Sequence, residues 1–168
     1  QMLVRITLRN SEHVMTAPEP AMGRTLDNAY AARLRRLVRH LGLGNKVLFE
    51  DYHQQVLDTL SALDVFVLPS QREGFSRSLL EAMSVGLPVV ASRLSEIEEA
   101  VPEGENALLV DFGNSGEMAA QLVAMSEDDT LRKTMGERNR IRAEECFDLH
   151  RHVVAVQTLY RSHAPHRP

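Results

Sequence analysis

Two carboxylates, Glu73 and Glu81, stand eight residues apart in the segment of this chain that is best suited to chemistry. Glu73 precedes a predicted helix, and Glu81 lies about two turns along it. Carboxylates accept hydrogen bonds from hydroxyl groups, so the pair is suited to contact two parts of one elongated, hydroxyl-rich ligand. A simpler interpretation stays open at this point. A glutamate before a helix is often only a partner of the helix dipole, and one within a helix is often only solvated.

The residues between the two glutamates are typical of an anion site. Gly74 is expected to let the backbone turn tightly, and the amides of Ser76, Arg77 and Ser78 would open the helix without partners inside it. Amides of this kind at the start of a helix bind phosphate-like groups. The segment therefore predicts a site for a diphosphate.

Composition limits the class of protein. The chain has 168 residues, of which 43% are hydrophobic and 25% charged, as in an ordinary globular domain. Its net charge of −4 provides no field that would attract nucleic acid, so no nucleic-acid partner is expected. No apolar run approaches the roughly 18 residues of a membrane span. The lone Cys146 and the lack of a signal-peptide pattern favour a reducing cytoplasm.

Hydrophobic patterning predicts alternating strands and helices. Residues 2–8 alternate between apolar and polar types and predict a strand, and the prolines and glycine of residues 9–24 predict a loop. The further predicted elements are a helix that starts after Asp27 or Asn28 and ends at Gly42, strands at 47–49, 65–68, 88–91 and 107–110, helices at 54–63, 76–85, 95–101 and 117–126, and helical structure over the last forty residues.

Strands that alternate with helices predict a parallel sheet covered by helices on both faces. Ligands of such sheets bind beyond the carboxyl ends of the strands, which is where Glu73 follows the strand at 65–68. We therefore expect a single Rossmann-like α/β domain over residues 1–162, with a helical C-terminal region and a frayed tail over 163–168.

The segment 68–92, LPSQREGFSRSLLEAMSVGLPVVAS, resembles the signature of the group 1, family 4 type glycosyltransferases, which are retaining enzymes with the GT-B fold. The resemblance continues in LGLGNKVLF at 41–49, ALDVFVLPS at 62–70 and GENALLV at 104–110, and it covers nearly all of residues 28–162. It implies that the chain corresponds to the C-terminal, donor-binding domain of such an enzyme.

The resemblance also implies roles for the residues of the motif. Glu73 would be the catalytic glutamate that contacts the donor sugar, and Glu81 would hold the ribose hydroxyls of the nucleotide. The backbone amides from Phe75 to Ser78 would bind the diphosphate, and the base would lie near the loop after residue 49. No metal is expected, because no Cys or carboxylate set stands at ligand spacing in the sequence. No cofactor is expected, and the nucleotide-diphosphate sugar is the donor substrate. The donor-binding residues implied in this way are Gly74, Phe75, Ser76, Arg77, Ser78 and Glu81.

The sequence departs from the family pattern in ways that bear on activity. Enzymes of the family resemble two Rossmann-like domains that face across a cleft, and these 168 residues are expected to match only the second, without its first strand–helix unit. That unit normally carries an Arg and a Lys that neutralise the diphosphate. Arg77 replaces a frequent Asn, and with Arg72 it is a candidate source of positive charge. The chain is therefore expected to be a fragment of a two-domain enzyme, nearly inactive by itself.

Three hypotheses on function follow. The first is the donor-binding half of a retaining glycosyltransferase that moves a hexose from a nucleotide sugar to a glycan or lipid-linked acceptor. The second is a partner-dependent or non-catalytic subunit that binds a nucleotide sugar and receives its acceptor domain from another chain. The third is a generic doubly wound binding module. We expect a cytoplasmic location, and peripheral association at the inner face of the membrane through the missing domain stays open.

Overall fold

The computed structural model describes residues 2–8, 11–17, 24–50 and 56–163. The elements in these ranges are β1 (Met2–Leu8), β2 (Ser11–Ala17), α1 (Arg24–His40), β3 (Val47–Glu50), α2 (Val56–Ser61), β4 (Phe66–Leu68), α3 (Arg77–Ser84), β5 (Val89–Ser92), α4 (Ser95–Ala100), β6 (Ala107–Val110), α5 (Ser115–Glu127), α6 (Asp129–Cys146) and α7 (Leu149–His163).

A parallel sheet of order β4-β5-β6 forms the centre of the α/β part. In its register Phe66 lies opposite Val89, and Val89 lies opposite Ala107. Every residue of β4 and β5 is buried, which explains why neither strand alternates between apolar and polar residues, and only the last residue of β5, Ser92, is polar. The predicted parallel sheet is confirmed for these three strands, whereas the predicted strands at 2–8 and 47–49 lie in a separate antiparallel sheet.

Helices cover both faces of this sheet. Alternate strand residues, such as Phe66 and Leu68 on one side and Val65 and Val67 on the other, belong to two separate apolar clusters. The first cluster takes its helical residues from α2, α3, α4 and Ala143 of α6, and the second takes its own from α5 and the start of α6. Two covered faces confirm the predicted doubly wound arrangement.

Helix α6 fixes the end of α3 through an approach that only glycine permits. A Cβ at position 136 would lie far inside contact distance of the carbonyl oxygen of Gly86, which follows α3 with a φ of 78°. One turn further along α6, the fully buried Asn139 donates to the carbonyl of Leu87 at 2.8 Å and accepts from Asn106 Nδ2 at 2.9 Å. Arg142 donates to the carbonyls of Glu99 and Ala100 at the end of α4.

The first part of the chain differs from its prediction. Residues 9–24 were expected to be a loop, yet β2 occupies 11–17 and pairs with β1 in an antiparallel hairpin that sets Met2 opposite Ala17. Strand β3 pairs with β1 on its other side, also antiparallel. The loop prediction failed because residues 11–17 are weakly patterned and become a strand only by pairing with β1, which supplies partners for their backbone groups. Helix α1 also begins earlier than predicted, at Arg24.

The C-terminal region is helical, as predicted, and all of α7 is exposed. Leu149 and Tyr160 are each 74% exposed. Among the described helices, none combines the length and the apolar character that crossing a bilayer requires. Residues 164–168, most of the expected frayed tail, lie outside the described residues.

Candidate functional site

Glu73 lies in the loop that leaves the carboxyl end of β4, where the sequence predicted it. Ser70, which is only 4% exposed, donates its hydroxyl hydrogen to Glu73 Oε1 at 2.5 Å. A hydroxyl donor to a carboxylate makes a short and strong hydrogen bond. The carboxylate of the half-buried Glu73 is therefore held against the sheet by a buried neighbour.

Helix α3 begins at Arg77, directly after the loop, and its amino end is open. Ser76 is the N-cap residue with extended backbone angles, but no side chain caps the helix. The hydroxyl of Ser76 lies 3.4 Å from that of Ser78 instead. The amides of the first turn have no intrahelical acceptors, so this end has the geometry of the predicted anion site.

The chain bends at Gly74 and Phe75, where the sequence predicts a tight turn. The φ of Gly74 is not in the left-handed region, where Gly42, Gly86, Gly104 and Gly113 are found. A Cβ at position 74 would meet nothing within 4 Å. The absence of a side chain at this position leaves open space beside Glu73.

Glu81 lies in the middle of α3 and is engaged by a cation. Arg77 Nε donates to Glu81 Oε1 at 3.2 Å, four residues along the same helix. The Arg77 side chain is 80% exposed, whereas that of Glu81 is 27% exposed. Arg72, the other candidate cation, is also exposed. The structure thus gives Arg77 a partner within the motif itself.

Phe75 connects the loop to the C-terminal region. Its ring is 74% exposed and meets Phe147 edge-on, with 6.0 Å between ring centroids and 62° between ring planes. Phe147 is the residue that ends α6 and packs on the first apolar cluster. The loop that carries Glu73 therefore contacts the junction between α6 and α7.

Sequence reasoning missed a cleft of about 190 Å³ at the same edge of the sheet. Its lining residues end a parallel strand, follow one, or lie in the first turn of α5, and this position at strand ends is the signal that could have found them. They are Pro69, Ser92, Asp111, Phe112, Gly113, Asn114, Ser115 and Met118.

Arg93 is the centre of a group of ion pairs beside this cleft. It follows β5 and forms ion pairs with Glu98 at 3.1 Å, Glu103 at 2.6 Å and Asp111 at 3.4 Å. Its hydrogen bond to Glu103 lowers the pKa of that carboxyl below its ordinary value. The same hydrogen bond, with that to Glu98, raises the pKa of Arg93 itself. The loops after β5 and β6 are thus held together by one guanidinium.

Comparison with known proteins identifies the family. The family model of "Glycosyl transferases group 1" matches residues 22–142, which is most of the chain. The chain belongs to the group 1 glycosyltransferases. The match includes the whole segment from β4 to β6 on which the site is built.

Individual relatives agree with this assignment. N-acetyl-alpha-D-glucosaminyl L-malate synthase of Bacillus anthracis is 32% identical over 125 residues, which are 74% of this chain and 33% of that protein. The Anabaena protein Alr3699/HepE, solved in complex with UDP, has a TM-score of 0.78 and 28% identity, covering 81% of this chain and 38% of that one. The same Anabaena protein was also solved with UDP-glucose.

A third relative is a single domain. It is the C-terminal domain of the group 1 family glycosyltransferase LpcC from Francisella tularensis, with a TM-score of 0.66 and 25% identity over 76% of this chain and 66% of that one. This chain spans only about a third of the length of the curated relatives that it matches first. The expected family and GT-B C-terminal fold are confirmed, whereas the roles of individual residues stay predictions.

Proposed function

We propose that this chain is the donor-binding part of a retaining glycosyltransferase that transfers a hexose from a nucleotide sugar to a glycan or lipid-linked acceptor. The observation that carries the proposal is the segment at the carboxyl end of β4, where a held Glu73, the open end of α3 and Glu81 follow one another. The UDP and UDP-glucose complexes of the Anabaena relative support a nucleotide sugar as the ligand.

Each part of the segment has a task in this proposal. Glu73, fixed by Ser70, faces the donor sugar at the reacting carbon. The amides that open α3 receive the diphosphate, which gains negative charge as its bond to the anomeric carbon breaks. Glu81 accepts hydrogen bonds from the ribose hydroxyls. Retention means that the acceptor oxygen bonds to the face of the sugar that the diphosphate leaves.

The acceptor site completes the proposal. We assign it to a further domain, joined to this one in the same polypeptide or supplied by a partner subunit. The nucleotide sugar is the only small molecule required, and no metal or other cofactor is part of the scheme. A cytoplasmic location stays a prediction. Association with the inner face of the membrane, through the further domain, is a second prediction.

Calorimetric titration of the purified chain with UDP, GDP, ADP and their common sugar conjugates tests the proposal. We expect one nucleotide to bind selectively, and Glu81→Ala to weaken it by about 1 to 3 kcal/mol because charged hydrogen bonds to ribose are lost. Glu137→Ala on the exposed side of α6 is the matched control and leaves the affinity unchanged. Equal affinity of the parent and Glu81→Ala for every nucleotide would contradict the proposal.

Glu73→Ala separates binding from transfer. In the enzyme with its acceptor domain, we expect this variant to keep most of its affinity for the donor and to lose transfer, because Glu73 acts at the reacting carbon. Turnover equal to that of the parent would refute the role of Glu73. If the chain binds the donor but transfers sugar only when a partner chain is co-expressed, the partner-dependent alternative is favoured.

A further inference from the structure

The position and order of the ion pair between Arg77 and Glu81 are unfavourable for the stability of α3. Arg77 is the first residue of α3 and Glu81 the fifth, so the cation lies in the first turn, where the helix dipole favours an anion. The order is also the less favourable one for a pair spaced by four residues, since an acidic residue four positions before a basic one stabilises a helix more. No acidic residue offsets Arg77 within that turn.

Helix stability therefore does not explain the pair. An ion pair whose cation is 80% exposed contributes little to folding because water and salt screen it. The pair instead affects a single group, the carboxylate of Glu81. Of the described residues, only Glu81 accepts a hydrogen bond from the Arg77 side chain, and the bond uses Oε1.

We propose that Arg77 is a positioning residue whose guanidinium holds the Glu81 carboxylate in the orientation that receives the ribose hydroxyls of the nucleotide. The inference rests on the proposed function and deepens it. A free glutamate side chain rotates about several bonds, and holding it before the ligand arrives lowers the entropy lost on binding. Binding of Nε to Oε1 leaves Oε2 available to the ligand.

A direct contact between Arg77 and the diphosphate is the competing role, because the guanidinium lies at the open end of α3. The two roles predict opposite dependences on the ligand. A residue that acts through Glu81 affects only ligands that have ribose hydroxyls. A residue that contacts the diphosphate affects every nucleoside diphosphate, with or without those hydroxyls.

The experiment measures affinities of the full chain for UDP and for 2′,3′-dideoxy-UDP, which lacks both ribose hydroxyls, or for the matching pair of whichever base binds best. We expect Arg77→Gln to weaken UDP about threefold to tenfold, the effect of one hydrogen bond, and to leave the dideoxy form unchanged. Arg77→Lys restores part of the loss, and the loss shrinks as sodium chloride screens the pair. Arg138→Gln, on an exposed arginine of α6, is the control.

A double-mutant cycle isolates the connection to Glu81. In a Glu81→Gln background, Arg77→Gln is expected to cause no further loss of UDP affinity, because the group it positions is already altered. Equal weakening of UDP and the dideoxy form by Arg77→Gln overturns the proposal in favour of diphosphate contact. Unchanged UDP affinity in Arg77→Gln overturns it outright.

Failure of the inference and failure of the proposed function are distinguishable in the parent chain. If the parent prefers UDP to the dideoxy form and Arg77→Gln keeps the full preference, the proposed function stands and the positioning role is wrong. If the parent binds both forms equally, the ribose role of Glu81 is wrong as well. If the parent binds no nucleotide of any base, both proposals are overturned.

Discussion

The amino ends of β4, β5 and β6 form one edge of the sheet, here called the amino edge, and their carboxyl ends form the opposite, carboxyl edge. The polar groups at these two edges find their partners in opposite ways. At the amino edge, Asn139 is fully buried and is bonded to Leu87 and Asn106, while Gly136 contacts Gly86. At the carboxyl edge, charged side chains such as Arg93 are partly exposed and bonded to each other at the surface. The polar groups at the amino edge have their hydrogen-bond partners within the protein, whereas the charged groups at the carboxyl edge can exchange their partners for a ligand.

Helix starts at the carboxyl edge sharpen the contrast. Helix α5 follows β6, and the side chain of its N-cap residue Asn114 accepts from the amide of Glu117 at 3.1 Å. Helix α6, which follows α5 and not a strand, is capped in the same way by Asp128. Helix α4 follows β5 without such a cap, and so does α3 after β4. This end therefore lacks the internal acceptor that α5 and α6 have, as a ligand site requires.

Gly136→Ala breaks the amino edge and has the largest expected effect. The added Cβ cannot fit against the Gly86 carbonyl, so α6 must move away from α3, with a loss of about 3 kcal/mol of unfolding free energy. Urea denaturation measures the loss. Gly116→Ala in α5 is the control, because its Cβ would meet only Asn114 Oδ1 at 3.9 Å. Equal stability of the two variants would show that the close approach is not real.

Asn139→Ala tests the same edge through hydrogen bonds. The variant leaves the buried Leu87 carbonyl and the Asn106 amide without their partner, so we expect a loss of about 2 kcal/mol. Thermal or urea unfolding measures it, with Asn45→Ala in an exposed turn as the control. In the Asn139→Ala background, Asn106→Ala should lower the unfolding free energy by less than it does in the parent. Fully additive losses would contradict the shared hydrogen-bond network.

Ser76→Asp converts the open end of α3 into a capped one. A carboxylate at the N-cap accepts from first-turn amides and favours the helix dipole, so we expect about 0.5 kcal/mol more stability. The same change places negative charge where the diphosphate is proposed to bind, and affinity for UDP should fall. Thermal unfolding and titration on one sample measure both effects. A rise in stability and affinity together would refute the assignment of this end to an anion.

The smallest expected effect concerns Arg93 and pH. Because Arg93 lowers the pKa of Glu103, the ionised carboxylate stabilises the folded chain above its ordinary pKa near 4.5, and this contribution is lost as pH falls through the lowered value. The stability difference between the parent and Arg93→Gln should therefore be present at pH 7 and shrink toward pH 3. Unfolding curves at each pH measure it. A difference that grows on acidification would contradict the pairing.

The sequence predicts residues 65–127 well because their signals are local. The fully apolar strand at 107–110 has the observed bounds, and the helix predicted at 76–85 is observed at Arg77–Ser84. Strand β2 was missed because Glu12 and His13 carry no strand pattern, and only pairing with β1 makes the segment extended. Information about a pairing partner is not contained in a local window.

The site divides in the same way. The placement of Glu73 in the loop before α3 and of Glu81 in the middle of α3 follows from motif spacing and sheet topology, both of which the sequence contains. The Ser70 hydrogen bond and the Phe75–Phe147 contact depend on side-chain geometry across a loop or across 72 residues, and no spacing rule predicts them. The Arg77–Glu81 pair was available from its spacing of four, but its order opposes the usual rule for helices.

The contact between Gly86 and Gly136 also sets a limit on protein engineering. A programme that raises thermostability by replacing helical glycines with alanine would select position 136 early, since it lies inside an eighteen-residue helix. Propensity tables score that change as a gain, whereas the backbone of the neighbouring turn forbids it. Any library built on this domain should keep position 136 fixed and seek its stabilising changes on the exposed side of α6.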